Sequence, residues 1–153
     1  MLKRISRMDI KIREMQPQDV DAVTALEESC FSMPWKRHDF EEILTNPDRI
    51  YLVAECEAGI IGGCMLTMIA GEGDVSNVAV NEAYRGQHIA TVLMQELLRY
   101  GEEKEIFDFT LEVREHNLPA IRLYEHAGFV SEGVRPNFYD KPKDNAVIMW
   151  RRG

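Results

Sequence analysis

The hydrophobic rhythm of the chain changes repeatedly, and each change marks an element. "DIKIREM" (residues 9–15) alternates apolar and polar positions with the period of two that a half-buried strand needs. "QPQDVDAVTALEESCF" (16–31) changes to the helical period. Val20, Val23, Ala25 and Leu26 make its apolar stripe, and Pro17 stands near the start, where a missing amide hydrogen matters little. "MPWKRHDFEEILTNP" (33–47) predicts a second, short helix that ends before Pro47. Three strand-like runs follow, "RIYLVAECE", "GIIGGCMLTMIA" and "GDVSNVAV", parted by "AG" and "GEG" turns, which predicts an antiparallel meander. Ile89, Val92, Leu93, Met94, Leu97, Leu98 and Tyr100 then recur at helical spacing between about His88 and Lys104. The remainder reads as a strand in "FDFTLEVRE", a helix from Asn117 to Ala127, a strand in "FVSEGV", a polar loop and a last strand in "NAVIMWRR".

Strands in succession, then strand–helix–strand–helix–strand, predict an α+β fold. Its mainly antiparallel sheet should gain parallel pairs in the second half, through right-handed crossovers, with helices on the sheet faces. No repeat, low-complexity tract or linker interrupts 153 residues, close to the commonest size of one domain. Residues 9–153 are therefore expected to form a single domain, with residues 1–8 a flexible tail before the first strand.

"VAVNEAYRGQHIATVL" (78–93) is the first stretch that packing does not explain. A strand runs into a helix through Arg85, Gly86, Gln87 and His88, four residues that add little to a core. The first turn of a helix offers unpaired backbone N–H groups and the positive end of the macrodipole, a setting suited to phosphate. Gly86 lets a ligand approach the backbone closely, and Arg85 adds a fork-shaped permanent charge. A plain strand–helix turn is the alternative. G-x-G-x-x-G is absent, so a dinucleotide fold is not indicated.

Composition narrows the rest. Cys30, Cys56 and Cys64 have neither paired nor metal-type spacing, and suit a reducing cytoplasm. His38, His88, His116 and His126 are scattered, so no metal is expected. A formal charge of −8 disfavours nonspecific nucleic-acid binding and tolerates a cationic substrate. No apolar run approaches the roughly 18 residues of a membrane helix, and no signal segment follows "MLKRISRMDIKIREM", so neither membrane insertion nor export is expected.

In the second half, Phe107, Phe109, Leu111 and Val113 alternate with Asp108, Thr110, Glu112 and Arg114, giving one polar strand face. Asn117 is a good N-cap, Pro119 fits a first helical turn and Gly128 fits a C-terminal cap. Tyr124, seven residues after Asn117, lies on the same side of that helix, where a core aromatic would also sit.

Arg85-Gly86-Gln87-His88-Ile89-Ala90 resembles the acetyl-CoA signature Q/R-x-x-G-x-G/A of the GCN5-related N-acetyltransferases, with His88 where that family has glycine. "LEVR…N..AI.LYE..GF", "RPNFY", "NAVIMW" and "CFSMPW" are similar to the RimI-type branch, which acetylates the N-terminal alanine of a small-subunit ribosomal protein, and the similarity spans nearly the whole chain. The resemblance implies the GNAT fold, with a parallel strand pair that splays apart. It implies acetyl-CoA as co-substrate, with Val78, Ala79 and Val80 on the thioester strand and Gly86, Gln87, His88, Ile89, Ala90 and Thr91, with Arg85, around the pyrophosphate. It further implies Asn117 as a cofactor contact, Glu112 as proton acceptor and Tyr124 as proton donor. Pro34, Trp35, Asn137 and Tyr139 would flank the entrance for the acceptor, the basic N-terminal peptide of a ribosomal protein; Trp35 also fits as packing under a loop. Because none of Cys30, Cys56 and Cys64 lies in the matched catalytic segments, direct attack in a ternary complex is expected. The alternatives are acetylation of another protein N-terminus or a small amine, or an acyl-CoA-binding regulator without turnover.

Overall fold

The computed structural model describes residues 2–5 and 8–153. Eight strands form one sheet: β1 (Leu2–Ile5), β2 (Met8–Glu14), β3 (Arg49–Cys56), β4 (Gly59–Ile69), β5 (Glu72–Val80), β6 (Asp108–Arg114), β7 (Val130–Tyr139) and β8 (Asp144–Arg151). Their spatial order is β1-β2-β3-β4-β5-β6-β8-β7. The helices are α1 (Val20–Cys30), α2 (Arg37–Ile43), α3 (Ile89–Glu103) and α4 (Leu118–His126). None of them is long and apolar enough to cross a membrane.

The meander β3-β4-β5 is antiparallel, as the alternation predicts. Among the described residues the expected parallel pairs reduce to one, β5 with β6. β8 inserts between β6 and β7 and is antiparallel to both, so β7 never reaches β6. The stretch expected to be a polar loop after "FVSEGV" is largely strand. β7 runs on to Tyr139, and Pro136 is tolerated because β7 is the sheet's edge. Leu2–Ile5, within the expected tail, pairs antiparallel with β2.

The two faces have separate cores. Ile89, Leu93, Met94, Leu97 and Leu98 of α3 pack with Tyr124 of α4 on Leu52, Leu66, Val75, Phe109, Leu111 and Val113. On the other face Val20 and Val23 of α1 join Phe40 and Ile43 of α2 over Tyr51, Val53 and Met65. Asp19 anchors the start of α1: Arg13 donates to its carboxylate at 2.6 and 3.0 Å, and the backbone of Gln16 donates at 2.7 Å. Arg13 holds that carboxyl below its usual range.

Two irregularities open the sheet. The β5–β6 ladder runs only from Glu72↔Asp108 to Val75↔Leu111, after which β5 has no β6 partner among the described residues. Just there, on the β4 side, Asn77 and Val78 together oppose Cys64, since Ser76 pairs with Met65 and Ala79 with Gly63. Two residues against one is a β-bulge, which bends the strand and re-aims its side chains.

Candidate active site

Residues on both sides of the gap between β5 and β6 line a cavity of about 1220 Å3. Typical small-molecule sites occupy roughly 300–1,000 Å3, so this one has room for a large cofactor and part of a second ligand. Both faces of the sheet contribute to its lining. Glu27, Cys30, Met33 and Trp35 approach from the α1 side, and Ile89, Ala90, Thr91, Asn117 and Tyr124 from the α3–α4 side.

Of the residues singled out in the sequence, the cavity gathers Val78, Val80, Arg85, Gly86, His88, Ile89, Ala90, Thr91, Glu112, Asn117, Tyr124, Trp35 and Tyr139. Ala79, Gln87, Pro34 and Asn137 are not among its lining residues. Ala79 is buried, and its backbone pairs with Gly63 of β4. Pro34 is half-buried beside Trp35, whose ring meets Phe40 at 5.8 Å and carries the Arg49 guanidinium at 5.2 Å. Asn137 is exposed, and its N–H donates to Asn145 Oδ1 at 2.9 Å.

The strand–helix turn has the form the sequence predicts. His88 is the N-cap of α3 with φ +64, in the left-handed region, and makes no side-chain cap bond. That conformation favours glycine, which accounts for the signature glycine His88 replaces. The imidazole is exposed, and the amides of Ile89, Ala90 and Thr91 occupy the first helical turn, where no intrahelical acceptor is available. Gly86 has φ +79, and nothing lies within 4 Å of where a β-carbon would sit. Arg85 bends back: its Nε donates to the Val80 carbonyl at 3.1 Å, and its Nη2 reaches Cys30 Sγ at 3.7 Å.

Glu112 and Tyr124 reach the cavity from different elements. Leu111 and Val113 point into the α3–α4 core, so the alternation of β6 turns Glu112 to the α1 face. Asp74 lines the same region, its carboxyl pushed up by burial and by the neighbouring Glu112 charge. Tyr124 is 8% exposed and meets Phe129 edge-on at 6.1 Å, so it is a core aromatic and a cavity residue at once. Burial raises its hydroxyl pKa, which keeps the proton on at neutral pH. Asn117 Oδ1 accepts from Ala120 N as the α4 cap at 3.3 Å, leaving the side-chain NH2 as the group to offer a ligand. Tyr139 lies under the Arg114 guanidinium at 4.5 Å, and burial pushes its hydroxyl up to about 12.

Sequence reading missed Glu27. It is fully buried, accepts from Asn77 Nδ2 at 2.8 Å through Oε1, and leaves Oε2 without a partner. Burial pushes its carboxyl up to about 7, against the opposing effect of the Asn77 bond. A signal was present: Glu27 stands at the i+7 position of the stripe that begins at Val20 and Val23, where an acid is out of place. Spacing also gave no sign that Glu115, His116 and Asp144 would bring ligand-type atoms within 4.8 Å of one another. His116 Nδ1 there already pairs with Asp144 at 2.8 Å, and that bond raises the imidazole pKa.

Comparison with known proteins agrees with this geometry. The pattern of the Acetyltransferase (GNAT) family matches residues 20–129. A Bacillus subtilis (strain 168) protein, provisionally named a ribosomal protein bS18-alanine N-acetyltransferase, is 34% identical over 140 residues, covering 91% of this chain and 93% of its own. A Haemophilus ducreyi protein named ribosomal protein bS18-alanine N-acetyltransferase is 29% identical over 143 residues, covering 90% and 97%. The crystal structure of the ribosomal-protein-S18-alanine N-acetyltransferase from Escherichia coli superposes with a TM-score of 0.86 at 23% identity, covering 94% and 93%. The signature turn, the splayed strands and these relatives agree: the chain belongs to the GNAT family of acetyltransferases.

Proposed function

We propose that the protein transfers the acetyl group of acetyl-CoA to the α-amino group of an N-terminal alanine, the acceptor being a small-subunit ribosomal protein in the cytoplasm. The observation that carries this reading is one cavity lined by the first turn of α3, by Glu112 and by Tyr124, beside the stretch of β5 that has left β6. The names borne by the Bacillus and Haemophilus relatives support the choice of acceptor.

The amides of Ile89, Ala90 and Thr91 would hold the pyrophosphate, and the Val78–Val80 backbone, free of β6, would run alongside the pantetheine arm. The nucleophile must be a neutral amine. With a pKa of about 7.7–8.0, roughly a quarter of α-amines are neutral near physiological pH, against roughly one lysine in a thousand at about 10.4. A carboxylate such as Glu112, acting directly or through water, suffices as base for so weakly held a proton. A backbone N–H of the Val78–Val80 segment would donate to the developing oxyanion. Tyr124, protonated at neutral pH, would give its proton to the departing thiolate. Much of the acceleration comes from holding amine and thioester together. No acyl-enzyme is needed. Cys64 is fully buried with its thiol pKa raised, and Cys30 donates weakly to the Val80 carbonyl at 3.5 Å.

Peptides differing only in the first residue, assayed for CoA release, test the reading. Alanine is expected to give the highest kcat/KM. Acetyl-CoA binding without turnover of any peptide would favour a regulator, and a preference for free polyamines would overturn the peptide assignment.

A further inference from the structure

The acetyl-transfer chemistry gives Glu27 no task, yet it is a fully buried carboxyl in the wall of the reaction cavity. Its carboxyl accepts a hydrogen bond from Asn77, fifty residues away, and Asn77 has φ +55. Asparagine enters the left-handed region more readily than most residues but still needs something to hold it there. Asn77 is also the first residue of the β5 bulge. The bulge shifts the strand's phase by one. Val75 faces the α3–α4 core, and after the bulge it is Val78 and Val80 that pack toward that core, while Asn77 turns to Glu27 on α1. An unbulged strand would send the polar Asn77 into the α3–α4 core and exchange the faces of Val78 and Ala79. The parallel ladder with β6 stops at Val75, immediately before the bulge.

We propose that Glu27 is a positioning residue: through Asn77 it locks the β5 bulge, and the lock fixes where the Val78–Val80 backbone meets the acyl donor. The kinetic consequence rests on the acetyltransferase reading, whereas the structural one does not. One carboxyl oxygen accepting one amide N–H is sufficient, so the lock acts through geometry rather than charge. A neutral acceptor of the same shape preserves it.

Amide hydrogen exchange across residues 76–80, measured without ligand, tests the lock directly. Glu27→Ala is expected to speed exchange there by about tenfold or more, as loss of a hydrogen bond to a buried carboxyl implies. Glu27→Gln, whose amide oxygen still accepts, should fall much closer to the wild type. Asn77→Ala removes the donor from the other side and should reproduce Glu27→Ala, which keeps the test available if that variant folds poorly. Asn77→Gly, which takes a positive φ unaided, should be less damaged than Asn77→Ala. In steady-state assays, Glu27→Ala and Asn77→Ala should raise KM for acetyl-CoA about fivefold to tenfold, with a smaller change in KM for peptide. Wild-type exchange in Glu27→Ala, or a Glu27→Gln as fast as Glu27→Ala, overturns the lock. A wild-type protein that never releases CoA would overturn the acetyltransferase reading instead, and exchange would still decide the lock.

Discussion

At residue scale, the site places three acids with different surroundings in one cavity wall: Glu27 buried, Asp74 half-buried and Glu112 on the polar face of β6. If Glu112 accepts the amine proton, Glu112→Gln should lower kcat about tenfold to a hundredfold and leave acetyl-CoA binding intact, the loss growing at low pH where fewer amines are already neutral. Unchanged rates across a pH series would remove it as the base. Tyr124→Phe keeps the packing against Phe129 and deletes only the hydroxyl, so turnover should fall about tenfold or more while the melting temperature moves little. A drop in melting temperature with normal turnover would make Tyr124 a core residue alone. Glu27 gives a pH effect of definite sign. Its folded pKa, about 7, lies above the ordinary 4.5, so the native state keeps a proton that the unfolded chain releases. Stability attributable to this group is therefore greatest below about 4.5, declines as pH rises through the interval and is lowest above about 7. At about 1.4 kcal/mol per unit, the whole decline is roughly 3 kcal/mol as an order of magnitude. Denaturant titrations at pH 5 and pH 8 should show Glu27→Gln gaining on the wild type by an amount of that order at the higher pH; parallel profiles would contradict it. Glu112 and Tyr124 were legible in the sequence because they sit in one contiguous string. Glu27 was not, because its meaning depends on a partner fifty residues away and on a bulge that local alternation does not reveal.

At the scale of elements, the turn from β5 into α3 puts a conformational demand on His88. A non-glycine residue in the left-handed region carries strain of about 1 kcal/mol, and glycine removes it at the expense of a more flexible unfolded chain. His88→Gly should therefore leave stability within about 1 kcal/mol of the wild type and acetyl-CoA affinity equal or better, since the α3 amides are untouched. Calorimetry showing a large loss of affinity would mean that the imidazole itself holds the ligand. The periodic pattern predicted the long helices well: α3 and α4 lie within their expected spans, with His88 and Asn117 as N-caps. It failed where pairing is non-local. The placement of β8 between β6 and β7 depends on which strand edges remain free after β6 has docked on β5, and no window of sequence carries that. β7 was cut short for a related reason: as an edge strand with nearly all its side chains exposed, it has no buried face to give an alternating pattern.

For the molecule as a whole, charge and architecture bear on the acceptor together. The chain carries a formal charge of −8, and Asp74 and Glu112 line the α1 side of the cavity near the region where the acceptor would enter. Arg85 and Arg114 also line the cavity; they keep their charge, but hydrogen bonds hold both in place, and the net charge of the chain stays strongly negative. Arg85 donates to the Val80 carbonyl, and Arg114 donates to the Pro142 and Asp140 carbonyls while stacking on Tyr139. The protein should thus attract a peptide whose residues after the first alanine are basic, through a field that acts mainly on encounter and weak binding. Screening shortens that field from about 30 Å at 0.01 M salt to about 3 Å at 1 M. Raising ionic strength across that range should therefore increase KM for a basic alanine-starting peptide about tenfold and leave kcat nearly constant, because chemistry inside the cavity is little screened. A peptide of the same first residue followed by neutral ones should show a KM that hardly moves. Equal salt slopes for the two peptides would mean that acceptor choice is made at the mouth of the cavity by shape alone, with the surface charge serving solubility.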